Sequence, residues 1–232
     1  MVSEASEIDG GRPGTQVEEE TKRIDTRQTA LTKSRYNRNA ASYDKRVAMM
    51  ERLAFGPLRG RLWSLVSGPR VLEVGVGTGS NIPFYPQGMQ ITGIDLSDQM
   101  LALARQRADQ QGVAVQLLEM DAQNLRFPPA TFDCAVCTCV FCSVPDPVRG
   151  LREVRRVLKP GGRFVMLEHV RPSGLLGLLF DLLNPLVVRF SGANINRQTV
   201  ENVRRAGFEI ESVESRLRGI VKLIVARNGH TQ

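Results

Sequence analysis

A glycine-rich turn directly after an apolar strand constrains the fold of this chain more than any other feature. Arg70–Val74 (RVLEV) is the predicted strand, and Gly75, Gly77 and Gly79 follow it at alternate positions. Glycine lacks a Cβ, so a backbone built from it can turn tightly and approach a ligand closely. Open α/β sheets bind ligands at the carboxyl ends of their strands. The turn therefore predicts such a sheet, with a ligand site where the first strand ends.

Strands and helices alternate along the chain around this turn. The predicted parallel strands are the runs 70–74, 90–94, 113–118, 132–138 and 163–170. Ser97 and Asp146 are each placed to cap a helix that links two strands. Short links of this kind imply a parallel sheet with helices on both faces. The last two strands, 208–216 and 220–227, lie too close together for a crossover, so they must be antiparallel.

Length and composition predict one folded domain preceded by a polar tail. Residues 1–34 show no sustained apolar period and are expected to be disordered or weakly helical. Residues 35–232 are predicted to form a single domain that begins with amphipathic helices over 44–54 and 57–66. The hydrophobic share of 42% excludes a fully disordered or collagen-like chain.

Charge, cysteine placement and hydropathy limit which partners and which cellular compartment are expected. The formal net charge of +7 indicates either an ordinary solvated surface or a surface for an acidic small molecule or an anionic membrane. Aromatic residues make up only 6% of the chain and form no basic stacking platform, which disfavours nucleic acid. All four cysteines fall between Cys134 and Cys142, so they cannot bridge distant loops. Without a signal peptide or a run of 18 apolar residues, we expect a cytoplasmic protein, peripheral at most to a membrane.

Acidic residues at successive strand ends complete a predicted nucleoside site. Asp95 ends the second strand, where it can accept hydrogen bonds from a ribose diol. Asp121 follows the third strand, where its carboxylate or the neighbouring amides can meet an adenine edge. Glu73 precedes the glycine turn, where a carboxylate repels a pyrophosphate but suits a cation. Charge therefore favours S-adenosylmethionine over a dinucleotide, whose usual turn is Gly-x-Gly-x-x-Gly.

The chain resembles the class I S-adenosylmethionine-dependent methyltransferases. The matching stretches are VLEVGVGTG (71–79), GIDLSDQML (93–101), MDAQNLRFPPATFD (120–133) and REVRRVLKPGGRFVMLEHV (152–170). The resemblance implies a Rossmann-like α/β fold, whose mostly parallel seven-stranded sheet ends in an antiparallel hairpin and carries helices on both faces. It also implies that S-adenosyl-L-methionine contacts Glu73, Gly75, Gly77, Gly79, Asp95, Leu96, Met100, Asp121, Ala122 and Thr138.

Within that family the chain is most similar to quinone C-methyltransferases and bacterial phosphatidylethanolamine N-methyltransferases. The segment RYNRNAASYDKR (35–46) looks like their N-terminal helix, whose tyrosines close over the cofactor. This implies a cofactor contact for Tyr43 and a catalytic role for Tyr36. A second likeness, to animal thiol S-methyltransferases, rests on NIPFYPQG (81–88), VCTCVFCSV (136–144) and EHV (168–170). The phospholipid enzymes usually have Asn-His-Phe at that last position.

Two further features each have a functional and a structural interpretation. His169 ends the fifth strand, where it is either a general base for the acceptor or a structural histidine. The cysteines read C-x2-C-x-C-x2-C, but strand alternation places Cys137 and Cys139 opposite Cys134 and Cys142. One tetrahedral metal site cannot collect them, so we expect no metal. Cys139 and Cys142 are candidates for lining the acceptor pocket.

An apolar segment over 173–191 is the least ordinary stretch of the chain. Between residues 174 and 190 it holds eleven Leu, Val or Phe residues, interrupted by Asp181 and Pro185. It is too short and too interrupted to span a bilayer. It is either a buried insertion helix or an apolar lid over a lipophilic acceptor, resting on a membrane surface.

The predicted activity is methylation of a lipophilic small molecule. The amine of phosphatidylethanolamine is the first candidate, a thiol the second and a quinone ring the third. The donor is already activated, so the protein mainly has to position the acceptor atom. A nicotinamide-dependent oxidoreductase and a silent cofactor-binding module are the alternatives from other classes. Self-association stays open.

Overall fold

An open, mostly parallel sheet organises the chain in a computed structural model that describes residues 24–191 and 193–229. Its strands are β1 Arg70–Val74, β2 Gln90–Asp95, β3 Gln116–Glu119, β4 Phe132–Thr138, β5 Leu158–His169, β6 Glu209–Arg216 and β7 Val221–Arg227. They lie in the order β3-β2-β1-β4-β5-β7-β6. Strands β1 to β5 are parallel, and β7 runs antiparallel to both β5 and β6. This arrangement confirms the predicted fold class and its terminal hairpin.

Helices pack around the sheet and connect its strands. They are α1 Thr26–Met50, α2 Gly56–Ser64, α3 Asp98–Gln111, α4 Pro147–Val157, α5 Gly174–Ser191 and α6 Thr199–Arg205. A π-helical turn over Glu51–Phe55 joins α1 to α2. Both predicted caps form: the Ser97 hydroxyl accepts from the Met100 N–H, and the Asp146 carboxylate accepts from the Arg149 N–H.

Apolar side chains cover the sheet on both faces because successive strand residues point to opposite sides. One face packs on α4 and α6 through a layer that includes Leu72, Val74, Ala135, Phe164, Leu151, Val154 and Val203. The other face packs on α2 through a layer that includes Val71, Val136, Val165, Phe55, Leu62 and Trp63. The layer on α4 and α6 reaches the carboxyl ends of β1 and β2, where Val74 and Ile94 also line the candidate site.

The N-terminal helix differs from its sequence prediction. The apolar pattern predicts a helix over 44–54 and the resemblance predicts one over 35–46, whereas α1 runs continuously over Thr26–Met50 and so begins inside the predicted tail. Residues 1–23 of that tail lie outside the described residues. The helix has low hydropathy, and its inward contacts are polar, such as the hydrogen bond from Lys33 to Glu119. An apolar period therefore could not reveal where it begins.

The cysteines occupy both faces of the sheet, with one departure from the prediction. Cys134 packs in the layer on α2 and Cys137 in the layer on α4. Cys139 packs with the α2 layer, so the prediction that it shares a face with Cys137 is wrong. The reason is that β4 ends at Thr138 and Cys139 has a φ of 54°, which stops the alternation. Within the described ranges, no three His, Cys, Asp or Glu side chains are gathered as metal ligands.

Candidate active site

A cleft opens at the carboxyl ends of β1, β2, β3 and β4, under helix α1. It brings together ten of the thirteen residues singled out from the sequence: Tyr36, Tyr43, Gly75, Gly77, Asp95, Leu96, Met100, Asp121, Ala122 and Thr138. The other three, Glu73, Gly79 and His169, lie outside the lining of the cleft. The predicted roles of all thirteen stay predictions, and the structure defines the contacts from which each role can be argued.

The glycine turn forms the floor of the cleft beside β1. Gly75 has a φ of 68° and Gly77 a φ of 57°, in the left-handed region that favours glycine. A Cβ on Gly75 would lie 2.4 Å from Cγ2 of Val140, so the two loops meet closely there. A Cβ on Gly77 would meet nothing within 4 Å, because that position faces open space. The turn thus leaves bare backbone facing the cleft.

Asp95, at the end of β2, fixes this turn and faces the cleft. Its Oδ2 accepts the Gly77 N–H at 2.9 Å, and its Oδ1 accepts the Ser97 N–H at 2.9 Å. Burial raises the pKa of the carboxyl, and the backbone hydrogen bonds lower it in part. Each oxygen of an ionised carboxylate can accept a further hydrogen bond. The geometry therefore suits the two hydroxyls of a ribose.

The far end of the cleft combines a second carboxylate with an apolar wall. Asp121, which follows β3, accepts the Gln123 N–H at 2.9 Å through Oδ1. Around it lie the apolar side chains Ile94, Leu96, Met100, Met120 and Ala122. An apolar wall with a few placed polar groups is typical of small-molecule and cofactor sites.

The charge of the lining is one-sided. In the part of the chain that the structure describes, the cleft is lined by Asp95 and Asp121 and by no lysine, arginine or histidine. A pyrophosphate would bring negative charge into this acidic setting without a cationic partner. A ligand that carries a sulfonium or an ammonium group is favoured instead.

Glu73 lies behind the glycine turn rather than in the cleft. Because Val74 lines the cleft, strand alternation turns Glu73 to the opposite face, where the Asn81 amide donates to Oε1 at 2.7 Å. The Tyr85 hydroxyl donates to Oε2. Burial raises the pKa of Glu73 to about 7 despite these hydrogen bonds. Asn81 also reaches the Thr138 hydroxyl at 3.2 Å, so Glu73 supports the edge of the cleft from behind.

Helix α1 closes the cleft through polar side chains that contact the loops after β1 to β4. The hydrogen-bonded pairs are Thr29–Gln123, Lys33–Glu119, Tyr36–Ser143, Asn37–Ser97, Asn37–Asp98 and Asp44–Thr78. Each pair joins one turn of the helix to one strand end. The helix is therefore positioned by hydrogen bonds rather than by an apolar stripe.

Two tyrosines of α1 face the ligand space. The Tyr36 hydroxyl lies 2.6 Å from the Ser143 hydroxyl, and the Tyr36 and Tyr43 ring centroids are 6.3 Å apart. Burial raises the pKa of both phenols above its ordinary value. Both side chains therefore stay neutral near pH 7. They can offer hydrogen bonds and the faces of their rings to a cation, but not a phenolate base.

The side of the cleft after β4 depends on a buried carboxyl group. Glu168 is fully buried, and its Oε1 accepts the N–H groups of Val140 at 3.0 Å and Phe141 at 3.2 Å. Burial raises the pKa of Glu168 above its ordinary value. Glu168 thus holds the turn that carries Cys139 and Val140 into the cleft.

His169 is half-buried at the end of β5 and does not line the cleft. Burial lowers its pKa below the ordinary histidine value. The imidazole is therefore neutral near pH 7 and could accept a proton, but the acceptor would have to approach from beyond the lining described here. Its role as a general base stays a prediction.

Sequence reasoning missed several residues of the lining: Thr32, Met120, Val140, Ser143, Val144 and Pro145. Thr32 could have been found, because its spacing to Tyr36 and Tyr43 places all three on one helix face. The residues after β4 carry no local signal of this kind. Their position depends on the hydrogen bonds that Glu168 makes from a neighbouring strand.

Comparison with known proteins identifies the class. The sequence profile of the family described as "Methyltransferase domain" matches residues 72–166. The ubiquinone/menaquinone biosynthesis C-methyltransferase UbiE of Cellvibrio japonicus is 31% identical over 71% of this chain and 73% of its own length. The chain therefore belongs to the S-adenosylmethionine-dependent methyltransferases, which confirms the predicted family and methyl donor.

Other relatives differ in the acceptor that their names give. A phosphatidylethanolamine N-methyltransferase of Cereibacter sphaeroides is 44% identical over 104 residues, which are 44% of this chain. The match covers 51% of that relative, so this chain spans about half of its length. The human thiol S-methyltransferase TMT1A is 36% identical over 60% of this chain and 59% of its own length.

A solved structure shares the fold. A SAM-dependent methyltransferase of Thermotoga maritima, described as a possible histamine N-methyltransferase, superposes with a TM-score of 0.64 at 25% identity. The match covers 84% of this chain and 99% of the other.

The cleft fits the methyl donor of the family. S-adenosylmethionine supplies an electrophilic methyl group when bound. The bare backbone at Gly77 leaves room for a ligand, and the free acceptor directions of Asp95 match a ribose. The acidic lining and the tyrosine faces suit the sulfonium.

Proposed function

We propose that this chain transfers a methyl group from S-adenosylmethionine to a lipophilic small molecule, and that the amine of phosphatidylethanolamine is the acceptor. The observation that carries the proposal is the lining of the cleft, which is acidic and aromatic and includes no basic side chain among the described residues. In the reaction the carbon–sulfur bond breaks, a carbon–nitrogen bond forms, and S-adenosylhomocysteine leaves.

The same lining ranks the three acceptors. An amine needs only to arrive unprotonated and to be held in line with the breaking bond. A thiol must react as a thiolate, and none of the described lining residues supplies a cation to stabilise that anion. A quinone ring needs a base to remove its proton, but both tyrosines stay protonated and His169 lies outside the lining. The amine therefore makes the smallest demand on this site.

A lipid acceptor also accounts for the apolar helix α5 beside the cleft. Among the described residues, no helix is long and apolar enough to cross a bilayer. We propose that the exposed leucines of α5 bring a cytoplasmic protein to its acceptor at an anionic membrane surface.

The test is product identification. The purified chain is incubated with methyl-labelled S-adenosylmethionine and separately with phosphatidylethanolamine vesicles, a demethylated quinol and an alkyl thiol. We expect labelled N-methylated phosphatidylethanolamine by mass spectrometry, and about a tenth as much or less with the Asp95→Ala variant at a sub-saturating donor concentration. Label confined to the thiol or the quinol would overturn the acceptor assignment, and no labelled product from any acceptor would overturn the proposed activity.

A further inference from the structure

Helix α5 exposes its apolar side to solvent. Six leucines, with exposed fractions from 41% to 85%, recur at intervals of three and four residues along one side of the helix. We call this surface the leucine face: Leu175, Leu178, Leu179, Leu182, Leu183 and Leu186. A contiguous apolar surface of this kind marks a contact with a partner or a membrane.

The polar side of the same helix faces the protein and fixes its rotation. Arg171 donates to both carboxylate oxygens of Asp181, at 3.0 Å from Nε and 2.7 Å from Nη2. The Asn196 amide also donates to Asp181, at 3.2 Å. One turn further on, the Asn184 Oδ1 accepts the Ile195 N–H at 2.9 Å. Rolling the helix to bury its leucines would break these hydrogen bonds, so the leucine face is set outward.

Helix α5 is linked to the edge of the cleft through the segment that follows it. Residues 194–197, which bind α5, also bind the turn after β4: the Asn194 N–H donates to the Cys142 carbonyl at 3.0 Å. Arg197 donates to the Val144 carbonyl at 3.1 Å, and Val144 lines the cleft. An acceptor that leaves a surface in contact with α5 would therefore enter next to Val144.

A second exposed surface lies at the end of α1 and in the π-helical turn after it, two to ten residues beyond the cleft residue Tyr43. Its members are exposed, and three are basic and three apolar. We call it the basic–apolar patch: Lys45, Arg46, Met49, Met50, Arg52 and Leu53. Like α5, this part of the chain is attached to the strand-end side of the sheet, through the hydrogen bonds of Asp44 to Thr78 and of Arg59 to Asn81.

We infer that the leucine face lies in the plane of a membrane, at the boundary between headgroups and acyl chains, and that the basic–apolar patch contacts anionic headgroups beside it. An amphipathic helix with an apolar outward side and basic residues nearby is typical of such in-plane binding. Charge complementarity selects an anionic lipid surface, since basic residues near a membrane are drawn to anionic lipids. This inference rests on the proposed function in one respect: the docked cleft would receive a lipid acceptor directly from the bilayer.

Vesicle flotation of the full chain tests the inference. The vesicles contain either phosphatidylcholine alone or phosphatidylcholine with phosphatidylglycerol. One variant combines Leu178→Gln, Leu182→Gln and Leu186→Gln. A second combines Lys45→Glu, Arg46→Glu and Arg52→Glu. The matched control is Leu217→Gln, which changes a leucine of similar exposure on the β6–β7 connection.

We expect the wild type and the control to float with the anionic vesicles. The leucine variant should lose at least nine tenths of the bound fraction, and the charge variant should lose its preference for anionic vesicles. The affinity for S-adenosylhomocysteine, measured by calorimetry, should be the same in all four proteins because neither surface lines the cleft.

The inference is overturned if the wild type does not float, or if the leucine variant floats as well as the wild type. If the wild type does not float but sediments as a dimer, and the leucine variant sediments as a monomer, the leucine face contacts a second copy of the chain. The two proposals can fail separately. If the protein floats but methylates only a thiol, the lipid acceptor is wrong and the membrane docking stands. If it methylates phosphatidylethanolamine but does not float, the acceptor stands and the docking is wrong.

Discussion

Two helices, α1 and α5, are both attached through polar side chains on their inner sides, but the side chains on their exposed sides differ in polarity. Each turns polar side chains inward: Asn37 of α1 binds the loop after β2, and Asp181 of α5 binds Arg171. Outward, the middle of α1 presents polar residues such as Ser34 and Arg38, and exposed methionines occur only in its last turn, whereas α5 presents leucines along most of its length. The inward side shows how a helix is anchored, and the outward side indicates the medium it meets. We therefore expect substitutions in the cleft under α1 to lower stability or ligand affinity. Substitutions on the leucine face should leave the stability in water nearly unchanged.

Gly75→Ala should give the largest loss of stability, because it adds a Cβ where the loops after β1 and β4 pack together. We expect a loss of about 3–4 kcal/mol in the free energy of unfolding, from left-handed strain together with the collision with Val140. Gly77→Ala is the control: it carries the strain but meets nothing, so it should lose only about 1–2 kcal/mol. Denaturant unfolding measures both, and equal losses would refute the close packing of the two loops.

The pH dependence of stability should reveal the buried Glu73. Its pKa of about 7 in the folded chain lies above the ordinary 4.5, so the folded state holds a proton that the unfolded state releases. Stability should be greatest below the unfolded pKa and fall as the pH rises through about 7. Relative to Glu73→Gln, the wild type should lose roughly 2–3 kcal/mol between about pH 5 and about pH 8. Parallel pH profiles of the two proteins would contradict this assignment.

Ligand affinity should distinguish the cleft from the leucine face, because Asp95→Ala changes only the cleft. Removal of the carboxylate should weaken S-adenosylhomocysteine binding at least tenfold, or about 1.4 kcal/mol, because the ribose loses its acceptors and the Gly77 N–H loses its partner. Calorimetric titration measures the change, with Leu182→Gln as the control that should bind like the wild type. An unchanged affinity in Asp95→Ala would remove the ribose assignment.

Leu182→Gln should give the smallest effect on stability. This side chain is 76% exposed, so the substitution should change the free energy of unfolding by no more than about 0.5 kcal/mol. Leu151→Ala, at a fully buried position, should cost about 2–5 kcal/mol in the same assay. A large loss at Leu182 would mean that the leucine face is covered within the chain itself.

The sequence was sufficient where the signal is local. The glycines directly follow β1, Ser97 and Asp146 each bond an N–H three residues on, and the carboxylate that ends β2 accepts the N–H two residues on. The short connection between the last two strands likewise required an antiparallel pair, and β6 and β7 form one. Much of the ligand side of the cleft was therefore predictable.

The rest depends on contacts between distant segments. Helix α1 has a regular spacing of inward residues, from Thr29 through Lys33 to Asn37, but they are polar, so an apolar period did not detect them. The charge of Glu73 predicts a position beside the ligand, whereas its carboxylate is bound by Asn81 and Tyr85 behind the glycine turn, so its cofactor contact stays a prediction. The direction in which the leucines point could not be read from composition, because Arg171 and residues 194–197 decide it.

The most direct test of the account is a crystal structure of the chain with S-adenosylhomocysteine. The account predicts the nucleoside in the cleft, with both ribose hydroxyls on Asp95 and the adenine between Leu96 and Ala122. A ligand seated anywhere else on the molecule, or a ribose held by other groups, would contradict it.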